Sequence, residues 1–76
     1  MPRGLMNWTF DDVIDFLKKH GFTYSYTKGS HYFYIGWQGS ISRHVSVPFH
    51  GKKVIKPRTI KGIILQSGIP KGAWME

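Results

Sequence analysis

The chain has 76 residues, enough for one domain and too few for two, so we expect residues 1–76 to form a single domain. It has no cysteine and no apolar run of about 18 residues, which excludes disulfides, a cysteine-based zinc site and a transmembrane helix. Eleven lysines and arginines against four carboxylates give a net charge of +7, which predicts a nucleic acid or acidic protein partner in preference to a membrane surface.

The N-terminal part predicts a cytoplasmic protein that begins with a capped helix. Met1 to Met6 lack the apolar segment of a secretory signal. Thr9 to His20 has the apolar spacing of an amphipathic helix, at Phe10, Val13, Ile14 and Leu17. Thr9 is a candidate N-cap, with Asp12 as a shortened capping-box acid. Gly21 followed by Phe22 predicts a Schellman-type end to this helix.

The middle of the chain predicts three antiparallel strands. Apolar and polar residues alternate with a period of two in three runs, separated by turns at Gly29-Ser30 and Gln38-Gly39-Ser40. Pro48 ends the third run, because proline cannot donate to a strand ladder. By this alternation, His31 shares a strand face with three apolar residues that we expect to be core: Phe33, Ile35 and Trp37. His31 would then reach solvent only at the end of its strand.

A second helix is predicted from Lys56-Pro57, with Ile60, Ile63 and Ile64 on its apolar face and a stop at Gly68. We expect Lys71 to Glu76 to be loosely ordered. The fold class is therefore α+β, an α-β-β-β-α two-layer sandwich with two helices on one face of a three-stranded antiparallel sheet. This is the element order of double-stranded-RNA-binding domains.

Four motifs carry a resemblance to a known family, over about residues 9–70. They are Lys19-His20-Gly21-Phe22, then Lys28-Gly29-Ser30-His31 with Tyr34 beyond it, then Val47-Pro48-Phe49-His50, and finally Thr59-Ile60, Ile63-Ile64 and Ser67-Gly68-Ile69. With them the chain resembles the HicA toxins of toxin–antitoxin pairs. The resemblance implies a double-stranded-RNA-binding-like fold and an endoribonuclease that cuts mRNA without a metal or other cofactor. It also implies a HicB-like antitoxin partner and a catalytic role for His31.

The residues themselves are compatible with RNA cleavage. The 2′-hydroxyl of RNA is the nucleophile, so cleavage needs a base, positive charge near the phosphate and a proton for the leaving oxygen. Imidazole ionises near neutral pH, so His31 is a candidate base. Lys28 and the amides of Gly29 and Ser30 are candidate phosphate ligands. The acid stays open between water, His50 and His44. No close histidine pair or neighbouring carboxylate predicts a metal site.

A second basic segment predicts contact with the RNA backbone. Five cations surround the start of the second helix, and the candidate RNA-binding residues there are His50, Lys52, Lys53, Lys56, Arg58 and Lys61. Tyrosines at positions 24, 26, 32 and 34 are candidates for stacking on unpaired bases or for cross-strand packing. The alternatives to a ribonuclease are a non-catalytic RNA-binding module and a protein-interaction domain. We expect a monomer or weak dimer when the protein is free.

Overall fold

A computed structural model describes residues 7–75; Met1–Met6, whose composition predicts no secretory signal, and Glu76 lie outside it. The elements are α1 Phe10–Lys19, β1 Thr23–Lys28, β2 His31–Gln38, β3 Ile41–Pro48, α2 Pro57–Ser67 and α3 Lys71–Trp74. The strands form one antiparallel sheet in the order β1-β2-β3. The predicted α-β-β-β-α order is therefore confirmed, with a short third helix added at the end.

Both ends of α1 follow their sequence signals. The Asp12 carboxylate accepts hydrogen bonds from the Thr9 amide at 3.0 Å and from the Thr9 hydroxyl at 2.9 Å, and the Asp12 amide donates back to Thr9 Oγ1. At the other end the Phe22 amide donates to the Leu17 carbonyl at 2.9 Å, and Gly21 has a φ of 86°. The capping box and the Schellman stop are both confirmed.

The end of α2 is closed by a serine as well as by the predicted glycine. Gly68 adopts the left-handed conformation that ends the helix. The fully buried Ser67 hydroxyl donates to the Ile64 carbonyl at 2.8 Å and accepts from the Ile69 amide at 3.1 Å. This pair of bonds turns the chain so that Ile69 enters the core.

The hydrophobic core lies between the helices and one face of the sheet. It contains the buried apolar residues of α1 and α2, together with Tyr34 of β2 and Val45 and Val47 of β3; those of the helices are Phe10, Val13, Ile14, Leu17, Ile60, Ile63 and Ile64. Tyr32 packs against its edge. Gly36 is buried on this face because the ring of Phe22 occupies the space above it. The core-facing residues of β2 are therefore the even-numbered ones.

The expectation that Phe33, Ile35 and Trp37 form the core face of β2 was wrong. These residues and His31 point to the other face of the sheet, which the helices do not cover, and Trp37 is 62% exposed. We call this the open face. The error has a physical origin: the odd positions of β2 are more apolar than the even ones, yet antiparallel pairing puts Tyr34 beside the buried Val45.

The expectation of a loosely ordered tail was also wrong for residues 71–75, the part of the tail that the structure describes. Residues 71–74 form α3, and Trp74 is fully buried against the N-terminal half of the domain. Its ring stacks on Phe16 of α1 at 4.0 Å between centroids and lies 5.3 Å from the ring of Trp8. The packed core thus includes Trp8 and Trp74, which lie before and after residues 9–70 in the sequence. Within residues 7–75, every helix is too short or too polar to cross a membrane.

Candidate active site

The first hairpin brings Lys28 and His31 directly opposite each other. They are paired across β1 and β2, and both are exposed on the open face. Side chains of directly opposite residues have Cβ atoms about 5 Å apart, so one phosphate group can contact both. Gly29, with a φ of 60°, is the first residue of the two-residue turn between them, the position that a type II′ turn gives to glycine. We call residues 28–31 the hairpin corner.

A β-bulge in β1 allows Lys28 and Tyr24 to lie on opposite faces of the sheet. Tyr24 pairs with Tyr34 on the helix side, whereas Tyr26 pairs with Phe33 on the open face, so Ser25 is the extra residue. A bulge of this kind reverses the alternation of all the residues after it. Because the two-residue turn fixes the pair of Lys28 and His31, a regular strand would instead place Ser25 opposite Tyr34 and turn Tyr24 to the open face. The alternation in the sequence did not predict this bulge, since Tyr24 and Tyr26 looked like one continuous face.

The hairpin corner is tied to the loop that follows β3. The Phe49 amide donates a 2.7 Å hydrogen bond to the Ser30 carbonyl, and His31 pairs with Pro48. The Phe49 ring packs edge-on against Phe10 at 5.0 Å between centroids. These contacts anchor the corner to the core. The exposed His50 is the residue directly after Phe49. The two histidine motifs of the sequence therefore meet at one end of the sheet.

The basic residues after β3 do not form a single cluster. An open cavity of about 410 Å³ is lined by His50, Lys53, Val54, Ile55, Lys56 and Thr59, beside the start of α2. Lys52 and Arg58 are exposed nearby in the chain. Lys61, in contrast, borders a different cavity together with Leu65 and Lys71. We call the first group, His50, Lys53 and Lys56, the basic cavity.

The remaining candidate acid, His44, is separated from the hairpin corner. It lies on the open face, where it is exposed and pairs with Ile35. Ile35 is four residues from His31 along β2, which corresponds to about 13 Å. One phosphodiester cannot contact both histidines at this distance. His50, in the loop hydrogen-bonded to the corner, is the better placed of the two. Within residues 7–75, no three histidine or carboxylate side chains are grouped as metal ligands.

The tyrosines proposed for base stacking separate between the two faces. Tyr34 is buried on the helix side, and its burial, with smaller effects of Tyr24 and Tyr32, raises its pKa above the ordinary value. Tyr24 also lies on the helix side, where its hydroxyl hydrogen-bonds Thr27 at 2.7 Å. Only Tyr26 is on the open face, stacked on Phe33 at 4.5 Å with an interplanar angle of 6°.

The other aromatic residues on the open face are therefore Phe33 and Trp37, which the sequence analysis had assigned to the core. One signal in the sequence locates them. The turn at Gly39-Ser40 makes Gln38 and Ile41 the first pair, so the numbers of any two paired residues of β2 and β3 sum to 79. The core residues Val45 and Val47 therefore lie opposite Tyr34 and Tyr32. The residues between, at odd positions of β2, must then face away from the helices.

Comparison with known proteins agrees with the motifs. A family model described as HicA toxin of bacterial toxin-antitoxin matches residues 10–69. The matched segment begins at the first residue of α1, ends just after α2, and includes the whole sheet and the hairpin corner. Neither the curated proteins nor the solved structures gave a match.

Proposed function

Because the chain belongs to the HicA family of bacterial toxin–antitoxin toxins, we propose that it is an endoribonuclease that cleaves mRNA with His31 as its general base. The observation that carries the proposal is the cross-strand pair of Lys28 and His31, exposed together at the hairpin corner. This pair offers a proton acceptor and a fixed positive charge within the span of one phosphodiester group.

In this reaction His31 accepts the proton of a 2′-hydroxyl while the 2′-oxygen forms a bond to the adjacent phosphorus. The bond from phosphorus to the 5′-oxygen of the next nucleotide breaks, and that oxygen takes a proton. The products are a 2′,3′-cyclic phosphate and a 5′-hydroxyl. Lys28 stabilises the negative charge that develops on the phosphate oxygens, with the amides of Gly29 and Ser30 as further donors. His50 is the first protein group to test as the acid.

The backbone of the RNA on either side is held by the basic cavity. His50, Lys53 and Lys56 surround a recess beside the N-terminus of α2, where the first amides of a helix attract phosphate. Residues 21–75 contain no carboxylate, so nothing in the described sheet or α2 repels a polyanion. The same charge suits a HicB-like antitoxin with an acidic face, which we propose as the protein partner.

The decisive experiment compares RNA cleavage by the wild type, by His31→Ala and by His44→Ala in the presence of EDTA. We expect His31→Ala to lower the cleavage rate by about 10²- to 10⁴-fold, the usual contribution of a general base. His44→Ala is the matched control, because it removes an exposed histidine from the same face about 13 Å away. Wild-type cleavage by His31→Ala would refute the assignment, and loss of cleavage in EDTA would refute metal independence.

The antitoxin is tested separately, with the protein encoded by the neighbouring reading frame. Expression of the wild type should arrest growth, expression of His31→Ala should not, and co-expression of the neighbouring protein should restore growth. Arrest by both forms of the toxin would show that the growth effect does not depend on His31.

A further inference from the structure

The open face of the sheet carries an aromatic surface that cleavage at the hairpin corner does not require. We call Tyr26, Phe33, Ile35 and Trp37 the aromatic platform. Tyr26 is 52% exposed and Trp37 is 62% exposed, although each has an apolar ring that a small domain would ordinarily bury. Phe33 and Ile35 are half-buried between them. The platform therefore presents a continuous apolar strip along β2 to solvent.

The platform is continuous with the hairpin corner. His31 and the platform residues of β2 occupy alternate positions of one strand, so they follow each other on one face. From His31, the platform extends from about 7 Å at Phe33 to about 20 Å at Trp37. Tyr26 lies beside Phe33 with its ring parallel to it. An RNA strand held at the corner can continue over these rings without leaving the surface.

The chemistry of the platform favours unpaired bases over a double helix. Aromatic side chains on an open sheet stack on the faces of bases that are splayed out of a strand, and these faces are not accessible inside a duplex. The flanking charges suit a polyanion, since Lys28 is at one end and no carboxylate lies anywhere on the sheet. An aromatic surface with basic surroundings is the usual combination in proteins that bind single strands.

We propose that the aromatic platform binds single-stranded RNA, with bases next to the cleaved phosphodiester stacked on Tyr26, Phe33 and Trp37. The proposal rests on the proposed function, because it assigns the substrate class of the same site. It predicts that the protein selects unpaired segments of mRNA, although its element order is that of domains that bind double-stranded RNA.

Binding is measured with RNA that cannot be cleaved, so that the result does not depend on the catalytic assignment. A fluorescently labelled 2′-O-methyl oligonucleotide is titrated as a single strand and as a duplex of the same sequence. Its anisotropy gives the affinity of every variant, and tryptophan fluorescence is recorded for those that retain Trp37. Trp8 and Trp74 are 3% and 0% exposed, so Trp37 is the tryptophan that a stacked base can quench. We expect quenching and tighter binding with the single strand.

The variants are Tyr26→Ala and Trp37→Ala, with Leu65→Ala as the matched control. Each platform variant loses the stacking contact with one base, so its affinity for the single strand should fall by about 5- to 150-fold. Leu65 is 78% exposed on α2, away from the sheet, so Leu65→Ala should bind like the wild type. Trp37→Phe, which retains a ring, should recover most of the affinity.

Three outcomes would overturn the proposal. Equal binding of duplex and single strand would show that bases are not read by stacking. Wild-type affinity in both alanine variants would show that the rings do not contact RNA. If the alanine variants bind RNA like the wild type but no longer bind the antitoxin encoded by the neighbouring reading frame, the open face is a protein interface. Cleavage that persists in His31→Ala would refute the catalytic assignment while leaving this binding result intact.

Discussion

The ring of Phe22 lies directly over the backbone of Gly36, so closely that a Cβ atom on Gly36 would be 2.6 Å from Cγ of the ring. Phe22 follows the Schellman stop of α1, and Gly36 lies in the middle of the central strand. The contact therefore joins the end of the helix to the sheet. It also explains why a glycine, which usually weakens a strand, is present in the centre of β2.

Gly36→Ala should destabilise the fold by about 1–3 kcal/mol, because the fully buried Phe22 ring has to move to admit the methyl group. Urea unfolding measures the change. Gly62→Ala is the matched control: it lies in α2, a Cβ there would meet no atom within 4 Å, and it should stabilise by up to about 1 kcal/mol. Equal stability of the two variants would contradict the close contact above Gly36.

Trp74→Ala should lower the free energy of unfolding by about 3–5 kcal/mol, as expected for removal of a large aromatic residue from a core. The indole is fully buried and contacts Phe16 and Trp8. A domain of this size has a total stability of the same order, so partial unfolding at room temperature is expected. Thermal unfolding is compared with Trp37→Ala, in which the lost indole is exposed. A small effect at both positions would show that α3 does not complete the core.

The local signals in this sequence predicted the helices and turns well because they are short-range. The capping box of Thr9 and Asp12, the glycine stops and the two hairpin turns each depend on residues within a few positions of one another. Such signals determine where an element begins and ends. The choice of fold class and the position of the hairpin corner followed from them.

The faces of the strands were less predictable, because they depend on pairing between strands and on contacts across the domain. Apolarity alone favoured burial of Trp37 over Gly36. The pairing of β2 with Val45 and Val47 and the packing of Phe22 on Gly36 reverse this order. The bulge at Ser25 has no marker in the sequence. The burial of Trp74 depends on contacts with the rings of Phe16 and Trp8, which are far from it in the sequence and meet it only in the folded chain.

Stability at alkaline pH should depend on Tyr34. Its pKa is raised, mainly by burial, above the ordinary value of 10.0, so the folded state holds the phenolic proton more tightly than the unfolded state does. The stabilisation is complete below pH 10 and is lost as the pH rises through the folded-state pKa. Tyr34→Phe should therefore lose less stability than the wild type above pH 10 in urea titrations. The control Tyr26→Phe, on the open face, should follow the wild-type curve.

Lys28→Ala should lower kcat by about 10- to 1,000-fold, with a smaller effect on KM, because the role that we propose for Lys28 is to stabilise charge that develops in the transition state. Lys28→Arg retains a cation at the same position opposite His31 and should restore much of the rate. Single-turnover cleavage separates the two parameters. The control Lys19→Ala removes an exposed cation from α1 and should leave both unchanged. An effect on KM alone would restrict Lys28 to binding.

Replacement of Lys53 and Lys56 by glutamine should reduce the salt dependence of RNA binding. Each phosphate contact to a single strand contributes about 0.7 to the slope of log affinity against log salt, so the double variant should lose about 1.4. Lys71→Gln is the control, because Lys71 borders a different cavity. An unchanged slope in the double variant would exclude the basic cavity from the RNA path.

The bulge at Ser25 gives this domain a tolerance for a change in chain length at one position. Ser25 stands between Tyr24 and Tyr26, which lie on opposite faces of the sheet as adjacent residues of a regular strand would. Loss of that single codon would therefore leave Tyr26 opposite Phe33 and Lys28 opposite His31 in a regular ladder. Loss of Thr27 would instead bring Tyr26 opposite Tyr32 on the helix side, so the number of residues between the bulge and the turn determines which face this ring occupies.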